Sequence, residues 1–144
     1  MKAKETRETI LAFGHENILA IHPSTLMFTK DQHLSKTGDC IVAVAADKAA
    51  LNLNSTFKEA LRKPNAKLTV NIEADGLKAQ INAEGSHKLI LTHPRDLVIR
   101  KSDYISDRTL AIGADTSSAD LPRALVEKLR NPKQKIIVEL IAYS

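Results

Sequence analysis

The stretch IHPSTLMFTKDQHLS, residues 21–35, decides the fold of this chain, because a similar stretch returns as THPRDLVIRKSDYIS at residues 92–106. His22 aligns with His93, and each is followed by a proline and then by an apolar run. A residue that precedes proline is pushed toward extended backbone geometry. Each stretch therefore predicts the end of one strand, a change of direction and the start of another strand.

A second match follows after the offset shortens by three residues. Residues 47–70 align with residues 115–138, and each block holds an apolar-patterned segment, a proline and a strand-like run. We interpret the chain, residues 1–144, as one domain made of two repeats at about 4–75 and 76–144. Polar residues that occur in one repeat alone are not required by the repeated architecture, so they are candidates for function.

The composition predicts a soluble domain that needs no disulfide. A chain of 144 residues buries about 68–70% of its unfolded surface, which is enough for a core. A single cysteine cannot form an intramolecular bridge, which suits a reducing interior. The longest apolar run is far shorter than the roughly 20 residues that a membrane span needs. We expect a cytoplasmic protein with no secretory signal and no membrane partner.

The charge distribution bears on nucleic-acid binding. The net charge is +4, aromatic residues make up 3%, and tryptophan is absent. Residues 1–75 carry 10 Lys and Arg against 9 Asp and Glu, and residues 76–144 carry 11 against 8. This mild excess can attract phosphate groups, but it lacks the dense basic stripe and the stacking rings of nucleic-acid binders.

Each repeat is predicted to contain three or four strands, one helix and a final strand. The predicted strands lie at residues 9–13, 18–21, 26–29, 40–45 and 67–72 in the first repeat and at 97–100, 110–114 and 135–141 in the second. The dipeptide Asp75-Gly76 predicts a tight hairpin turn.

Apolar residues at i, i+4 and i+8 predict one helix of about ten residues in each repeat. The apolar stripes are Leu53, Phe57 and Leu61 in the first repeat and Leu121, Leu125 and Leu129 in the second. Asn52 and Asp120 stand where an N-cap side chain would accept free amides. Pro64 and Pro132 fall just past the predicted helix ends.

These elements predict an α+β fold that is mostly antiparallel β, with internal duplication. About seventy residues with one short helix leave a sheet face uncovered, so the repeats should pack about a pseudo-two-fold axis. A closed or interlocked, barrel-like sheet is the preferred arrangement, because closure removes exposed strand edges. Two stacked sheets with helices at the ends are the alternative.

The first repeat contains polar residues that the second lacks. His15 aligns with Ser86, and the segment 37–40, Thr-Gly-Asp-Cys, falls where the second repeat is shorter by three residues. Histidine titrates near neutral pH, so His15 is the candidate for proton transfer, with Asp39 orienting it or balancing its charge. No metal-binding spacing motif is present, although atoms suited to zinc or iron occur in His15, His22, His33, Asp39 and Cys40.

Structural roles compete with these functional ones. Cys40 begins an apolar strand, where a buried small hydrophobic residue is expected. His22 and His93 occur in both repeats, which favours hydrogen bonds to neighbouring backbone at the turn. Asp47 and Asp115 lie between matching strands and helices, where a short carboxylate commonly caps a turn.

The text GHENILAIHPST at residues 14–25 and GDCIVAVAADK at residues 38–48, with Thr29 and Lys30 between them, resembles an archaeal family catalogued as domain of unknown function three hundred and seventy-one (DUF371). The resemblance extends over nearly the whole chain, and Met27 departs from it where the family has an acidic residue. It implies an archaeal cytoplasmic protein and no particular reaction. It points to His15, Asn17, His22, Thr25, Asp39, Cys40, Asp47 and Lys48.

Three hypotheses of function follow. The first is a small-molecule or metal site in the first repeat of an enzyme or a ligand sensor. Its catalytic residues would be His15 and Asp39, its ligand contacts Asn17, Thr25, Asp47 and Lys48, and its divalent metal would be held by His15, His22, Asp39 and Cys40. The second is a nucleic-acid-binding module that uses basic residues after the helices, namely Arg62, Lys63, Lys67, Arg130, Lys133 and Lys135. The third is a protein-interaction domain, and a homo-oligomer is compatible with each.

Overall fold

The computed structural model describes residues 4–35 and 37–144, and these residues form an α+β fold. The elements in chain order are β1 (Glu5–Phe13), β2 (Thr25–Thr29), β3 (Ile41–Ala43), α1 (Ser55–Leu61), β4 (Lys67–Ala74), β5 (Leu77–Glu84), β6 (Asp96–Arg100), β7 (Thr109–Ala111), α2 (Arg123–Leu129) and β8 (Lys135–Tyr143). A single 3₁₀ turn precedes each helix, at Ala50–Asn52 and Ser118–Asp120. Residues 4–75 are called the first half below, and residues 76–144 the second half.

The strands form two four-stranded sheets, and isolated bridges between Phe13 and Val44 and between Glu84 and Ile112 join the sheets at their edges. Sheet A has the order β1-β8-β4-β5, and all its neighbouring strands are antiparallel. Sheet B has the order β3-β2-β6-β7, with an antiparallel central pair and parallel outer pairs. The mostly antiparallel character is confirmed. The closed barrel is wrong, because within the described residues only single bridges, and no continuous strand ladder, connect the edges of the two sheets.

Closure is not needed, because two aspartates pair with the edges of sheet A. The Leu11 amide of β1 donates to Asp47 Oδ1 at 3.0 Å, and the Asn82 amide of β5 donates to Asp115 Oδ1 at 3.0 Å. The amides of the two aspartates donate back to the carbonyls of the same edge residues. Edge groups that are paired in this way offer less backbone to another strand. The two aspartates therefore cap the edges of β1 and β5. The capping contact that we expected at a turn is thus made to a strand edge.

Each half of the chain supplies strands that complete the sheets with the other half. In sheet A, β1 pairs with β8 and β5 pairs with β4. In sheet B, the central pair joins β2 to β6, with Met27 opposite Val98. If β1, β2, β3 and β4 are exchanged for β5, β6, β7 and β8, both strand orders read the same from the opposite edge. The halves are therefore interleaved in both sheets.

Backbone hydrogen bonds between the loops join the halves in the same reciprocal way. The carbonyl of His22 accepts from the Ala119 amide at 3.0 Å, and the carbonyl of His93 accepts from the Leu51 amide at 3.0 Å. Each bond runs from a 3₁₀ turn in one half to the turn before β2 or β6 in the other half. We call this pair of bonds the backbone clasp.

The lysines that both halves share hold the 3₁₀ turns. Lys30 Nζ donates to Asn52 Oδ1 at 3.2 Å, and Lys101 Nζ lies 2.6 Å from Asp120 Oδ2. The N-cap role predicted for Asn52 and Asp120 is wrong, because each ends its 3₁₀ turn. There each side chain accepts the backbone amide of the residue three positions earlier.

Each helix has seven residues and is shorter than predicted. The cap of α1 is Asn54, whose Oδ1 accepts from the Thr56 amide at 2.8 Å, and α2 begins after Pro122. Leu53 and Leu121 of the predicted stripes precede these caps, because the 3₁₀ turns occupy the first part of each predicted helix. The other four stripe residues are buried in the helices. In the described part of the chain, no helix is long and apolar enough to cross a membrane.

The sequence between β1 and β2 misled the strand prediction. Residues 18–21 form no strand, because Ala20 takes φ +51°, which extended pairing does not allow. Ile18 and Ala20 are nevertheless fully buried, which explains their apolar pattern. The turn at Asp75 and Gly76 is confirmed, with φ values of +50° and +79° that fit a two-residue hairpin between β4 and β5.

Both sheets and both helices contribute to one core. Its fully buried side chains include Ile10, Ile72 and Ile81 from sheet A, Leu26, Phe28, Leu97 and Ile99 from sheet B, and Phe57, Leu61 and Leu129 from the helices. The opposite face of the central pair of sheet B carries the buried pair Met27 with Val98 between the pairs Thr29 with Asp96 and Thr25 with Arg100. The second half therefore places a charged side chain at each end of this face.

Two glycines at which backbone of the other half approaches closely allow the interleaving of the halves to be tested. A Cβ on Gly14 would lie 2.3 Å from the Asn131 carbonyl oxygen, and one on Gly85 would lie 2.2 Å from the Leu61 carbonyl oxygen. We expect Gly14→Ala and Gly85→Ala each to lower the free energy of unfolding by at least about 1–3 kcal/mol in urea titrations followed by circular dichroism. The exposed Glu16→Ala should change it by less than about 0.5 kcal/mol. Wild-type stability of either glycine variant would contradict the packing of β1 and β5 against these helix ends.

The contact between Lys101 and Asp120 predicts sensitivity to acid. Hydrogen bonding to Lys101, then to the Ser117 amide and hydroxyl, lowers the pKa of Asp120 from 3.8 to about 2. Because the folded pKa is the lower one, stability is full above the unfolded value and falls as the pH drops from 3.8 to about 2. We expect Asp120→Asn to flatten this part of the stability profile and the exposed Asp103→Asn to leave it unchanged. An unchanged slope for Asp120→Asn would contradict the ion pair.

Candidate functional site

His15 and Asn17 fasten the loop between β1 and β2. His15 Nδ1 accepts from the Asn17 amide at 3.0 Å, and Asn17 Nδ2 donates to the Leu34 carbonyl at 2.7 Å. The His15 amide donates to the Leu129 carbonyl at the end of α2. Both residues expected to act on a ligand therefore also hold the loop, and Nε2 is the ring atom through which His15 would act.

His22 and His93 use their rings in the same way at matching turns. His22 Nδ1 accepts from the Ser24 amide at 3.1 Å, and His93 Nδ1 accepts from the amides of Arg95 and Asp96 at 3.2 and 2.9 Å. These bonds confirm the structural role expected for both histidines. A ring nitrogen that accepts a hydrogen bond carries no proton, so the proton of each neutral ring is on Nε2.

Asp39 supports its loop through the backbone. Its carbonyl accepts two successive amides at 3.0 and 3.2 Å, the second from His22. The carbonyl of Asp107 accepts two successive amides at 3.1 Å each, the second from His93. The interpretation that Asp39 has no counterpart in the second half is therefore wrong. The missing residues of the second half precede this position, and Asp107 occupies it.

Cys40 is partly buried and packs against the core. Its carbonyl accepts from the Met27 amide at 2.9 Å and from the Ser118 hydroxyl at 2.7 Å. Burial, followed by the charge of Asp39, raises the pKa of the thiol. A protonated thiol is a poor nucleophile and a poor metal ligand. The expected apolar role is borne out in part, since the side chain touches the core without being fully enclosed.

The four candidate metal ligands are not gathered into a cluster. Within residues 4–35 and 37–144, no three His, Cys, Asp or Glu side chains lie where they could hold one metal ion. Asp39 and His22 meet through a backbone bond, whereas His15 lies against the end of α2. The structure thus brings part of the set into one loop region but does not aim the side chains at a common point.

The remaining expected ligand contacts are spread over the first half. Asp47 caps the edge of β1. Lys48 Nζ donates to Glu8 Oε2 at 3.0 Å, and the side chain of Glu8 is 9% exposed. Thr25 begins β2 and lies opposite Arg100 of β6. Arg100 lines a separate cavity in the second half.

A cavity of about 600 Å³ opens beside Arg100 in the second half. It is lined by His93, Arg100, Tyr104, Ser106, Asp107 and Arg108. These residues come from the turn before β6, the end of β6 and the loop that leads to β7. The cavity thus combines residues that are close in space because β7 runs beside β6.

Three contacts orient Arg100 in this cavity. Its Nε donates to Thr109 Oγ1 at 3.0 Å, its Nη2 donates to Ser106 Oγ at 3.4 Å, and its guanidinium carbon lies 4.9 Å from the centroid of the Tyr104 ring. All three partners are neutral. Burial, followed by the charge of Arg108, lowers the pKa of Arg100. An arginine stays protonated at neutral pH even so. Among the residues that the structure describes, no acid forms an ion pair with Arg100, although Asp107 lines the same cavity.

Arg108 brings a second guanidinium group, which a buried carboxylate orients. Its Nη1 donates to Asp96 Oδ2 at 3.1 Å. Asp96 is 7% exposed and also accepts from the Thr29 hydroxyl at 2.8 Å. Partners from both halves therefore satisfy the buried carboxylate, and Arg108 remains partly exposed at the cavity.

The sequence held a signal for this cavity. Its distinctive residues align with uncharged or weakly basic ones in the first half, in the pairs Arg100 with Thr29, Tyr104 with His33 and Arg108 with Cys40. Like His15, each of these residues differs in kind from its aligned partner in the other half. They were missed because the arginines were counted only toward the net charge of each half, and no polar residue found in the second half alone was compared with its partner in the first.

Comparisons with known proteins bear out the resemblance seen in the sequence. A family model described as Domain of unknown function (DUF371) matches residues 10–143. The chain is also 47% identical over 132 residues to the Uncharacterized protein MJ0206 of Methanocaldococcus jannaschii, covering 90% of this chain and 97% of that protein. This relative comes from an archaeon, as the resemblance implied.

The contact between Lys48 and Glu8 allows a structural role to be tested. Lys48→Met leaves the buried Glu8 carboxylate with the Asn54 amide at 3.3 Å and with no cation from residues 4–35 and 37–144. We expect a loss of about 1–3 kcal/mol in the free energy of unfolding, since a buried charge without its partner is costly. Adding Glu8→Gln should recover part of the loss, and the exposed Lys88→Met serves as the control. Unchanged stability of Lys48→Met would contradict this role.

Proposed function

The chain belongs to the family described as Domain of unknown function (DUF371), and from that premise we propose that it binds a small anionic molecule in the cavity beside Arg100. One observation carries the proposal: two guanidinium groups line the same cavity, and the contacts that orient Arg100 are all neutral.

The charge of Arg100 supports binding of an anion. A partly buried cation without a counter-ion loses hydration and gains no Coulombic compensation. Nearby Arg108 adds repulsion. After burial, its positive charge is the next largest cause of the lowered pKa of Arg100. A bound anion offsets both effects, and guanidinium groups form strong bonds to carboxylate or phosphate oxygens.

The neutral polar groups of the cavity also suit an anion. His93 Nδ1 is occupied by two backbone amides, so the ring presents Nε2–H as a donor. Tyr104 adds a phenolic hydroxyl, and its side chain is 56% exposed. Donors from three kinds of side chain therefore line one cavity, and Asp107 is the acidic exception.

We further infer that the chain arose by internal duplication and has pseudo-two-fold symmetry. Support comes from the shared order of elements in the two halves, the strand orders of both sheets and the reciprocal backbone clasp. A duplicated architecture accounts for residues that both halves share, but it does not require Arg100, Tyr104 or Arg108. Binding of a ligand supplies a reason for these residues in one half alone.

The site expected in the first half is an alternative proposal. Its support is the Nε2 of His15, which is not used in the contact to Asn17. It is weaker than the Arg100 cavity because Asn17, Asp47 and Lys48 all make contacts within the fold. A ligand or divalent metal whose affinity falls in His15→Ala but not in Arg100→Gln would favour this alternative.

Nucleic-acid binding is a further alternative with less support. Arg62 donates to the carbonyls of Leu89 and Ile90 at 2.8 Å each, and Lys67 pairs with Glu84 at 2.8 Å. These basic side chains therefore already serve the fold or pair with an acid. Steep loss of RNA or DNA binding with added salt and with Lys63→Gln and Lys133→Gln would favour this alternative.

We also propose that the protein is cytoplasmic, because a chain with a single cysteine suits a reducing compartment.

Calorimetric titration of the whole chain with sodium phosphate, at an ionic strength held constant with sodium chloride, tests the proposal. We expect saturable binding, and we expect Arg100→Gln to weaken it by about tenfold or more, as a charged hydrogen bond is lost. The matched control is Arg130→Gln, which removes an arginine whose nearest carboxylate contact is 4.0 Å away on the same helix end. The control should bind as the wild type does.

Thermal melting separates binding from folding. All variants should melt close to the wild type without phosphate, and phosphate should raise the melting temperature of the wild type and Arg130→Gln more than that of Arg100→Gln. Absence of binding, or an equal loss in both arginine variants, would contradict the proposal.

A further inference from the structure

We propose that the ligand of the Arg100 cavity is a phosphate monoester of a small molecule that bears hydroxyl groups. The inference rests on the proposed function and narrows its ligand from an anion to a chemical class. The phosphate would contact Arg100, Arg108 and His93, and a hydroxyl group would contact Asp107.

The charge of the cavity suits a doubly charged group. Arg100 and Arg108 line it together, and they are close enough for one charge to affect the other. A phosphate monoester carries about −1.5 to −2 charges near neutral pH, whereas a carboxylate carries about −1. Asp96 already pairs with Arg108, so the ligand supplies a first counter-charge to Arg100 alone. The larger charge of the phosphate attracts both guanidinium groups more strongly than a carboxylate does.

The free donors also match the shape of phosphate. Arg100 uses Nε and Nη2 on two hydroxyls, and Arg108 uses Nη1 on Asp96, so each guanidinium keeps other N–H groups for a ligand. His93 adds Nε2–H. A planar carboxylate has two oxygens and fits one guanidinium fork, whereas the three free oxygens of a phosphate monoester point in different directions. Three donor side chains around one cavity therefore favour the ester.

The cavity is open to solvent and leaves room for more than phosphate. Its volume of about 600 Å³ lies within the range of about 300–1,000 Å³ that is typical of sites for small organic ligands. Ser106 and Asp107 make the lining polar beyond the arginines. The organic part of the ligand should therefore be small and polar.

Asp107 indicates what that organic part carries. An ionised carboxylate only accepts hydrogen bonds, and it repels a phosphate group. Asp107 is exposed and lines the cavity, so in the complex we expect its carboxylate to accept from a donor at the other end of the ligand. A hydroxyl suits the cavity better than an ammonium group, because Arg100 and Arg108 repel a further cation. The acid in a basic cavity thus selects a phosphorylated alcohol over a simple anion.

Calorimetry with matched probes tests the class of ligand. The probes are inorganic phosphate, glucose phosphorylated at its primary hydroxyl, glycerol phosphate, phenyl phosphate, unmodified glucose and acetate, all at one ionic strength. We expect at least one of the two hydroxylated esters to bind about tenfold more tightly than phenyl phosphate and inorganic phosphate. Acetate and glucose should bind more weakly than inorganic phosphate.

Asp107→Ala separates the two ends of the ligand. The variant should bind the hydroxylated ester about tenfold more weakly, because the acceptor is lost. It should bind inorganic phosphate as well as the wild type or better, because a negative charge has been removed. Asp103→Ala, an exposed acid in the same loop, is the matched control and should bind as the wild type does.

The outcomes separate this inference from the function on which it rests. If phosphate binds through Arg100 but neither hydroxylated ester exceeds phenyl phosphate, this inference is overturned and the anion site stands. Equal weakening of ester and phosphate in Asp107→Ala would overturn it as well. If no probe binds in a manner that depends on Arg100, the proposed function itself fails.

Discussion

The reciprocal pairing of strands between the two halves is the constraint on which the rest of the structure depends. Sheet A cannot form from either half alone, because β1 pairs with β8 and β5 pairs with β4. The backbone clasp adds one hydrogen bond in each direction, to the carbonyls of His22 and His93. If one half unfolds, the other loses strand partners and exposes apolar faces. The two halves are therefore expected to unfold as one cooperative unit.

The same pairing positions the cavity. Because β2 lies beside β6, Thr29 of the first half donates to the buried Asp96, which in turn orients Arg108. Arg100 is held instead by neighbours in the second half, among them Thr109. A guanidinium group that is already oriented loses less conformational freedom when a ligand binds. The side chains that line the cavity therefore belong to the second half, but contacts from both halves hold them in place.

Much of the local structure was predictable because it depends on residues close together in the chain. The turn at Asp75 and Gly76 follows from backbone angles that these residues accept readily. The turn roles of His22 and His93 follow from their place before a proline, and their rings bond backbone amides within three residues. Prediction failed where one residue departs from the backbone geometry that the surrounding pattern indicates. Ala20, for example, interrupts an apolar run that reads as a strand.

By itself the sequence determined most of the strands, both helices with their apolar faces, and the family, because local patterns and matched text carry this information. Only the tertiary structure decided how the strands of the two halves pair, since strand register depends on long-range packing. That register placed Asp47 at the edge of β1, where its side chain pairs with the Leu11 amide. It also gathered Arg100 and Arg108 from β6 and the loop before β7 into one cavity. Charges separated in the chain act together only when the folded backbone brings them side by side.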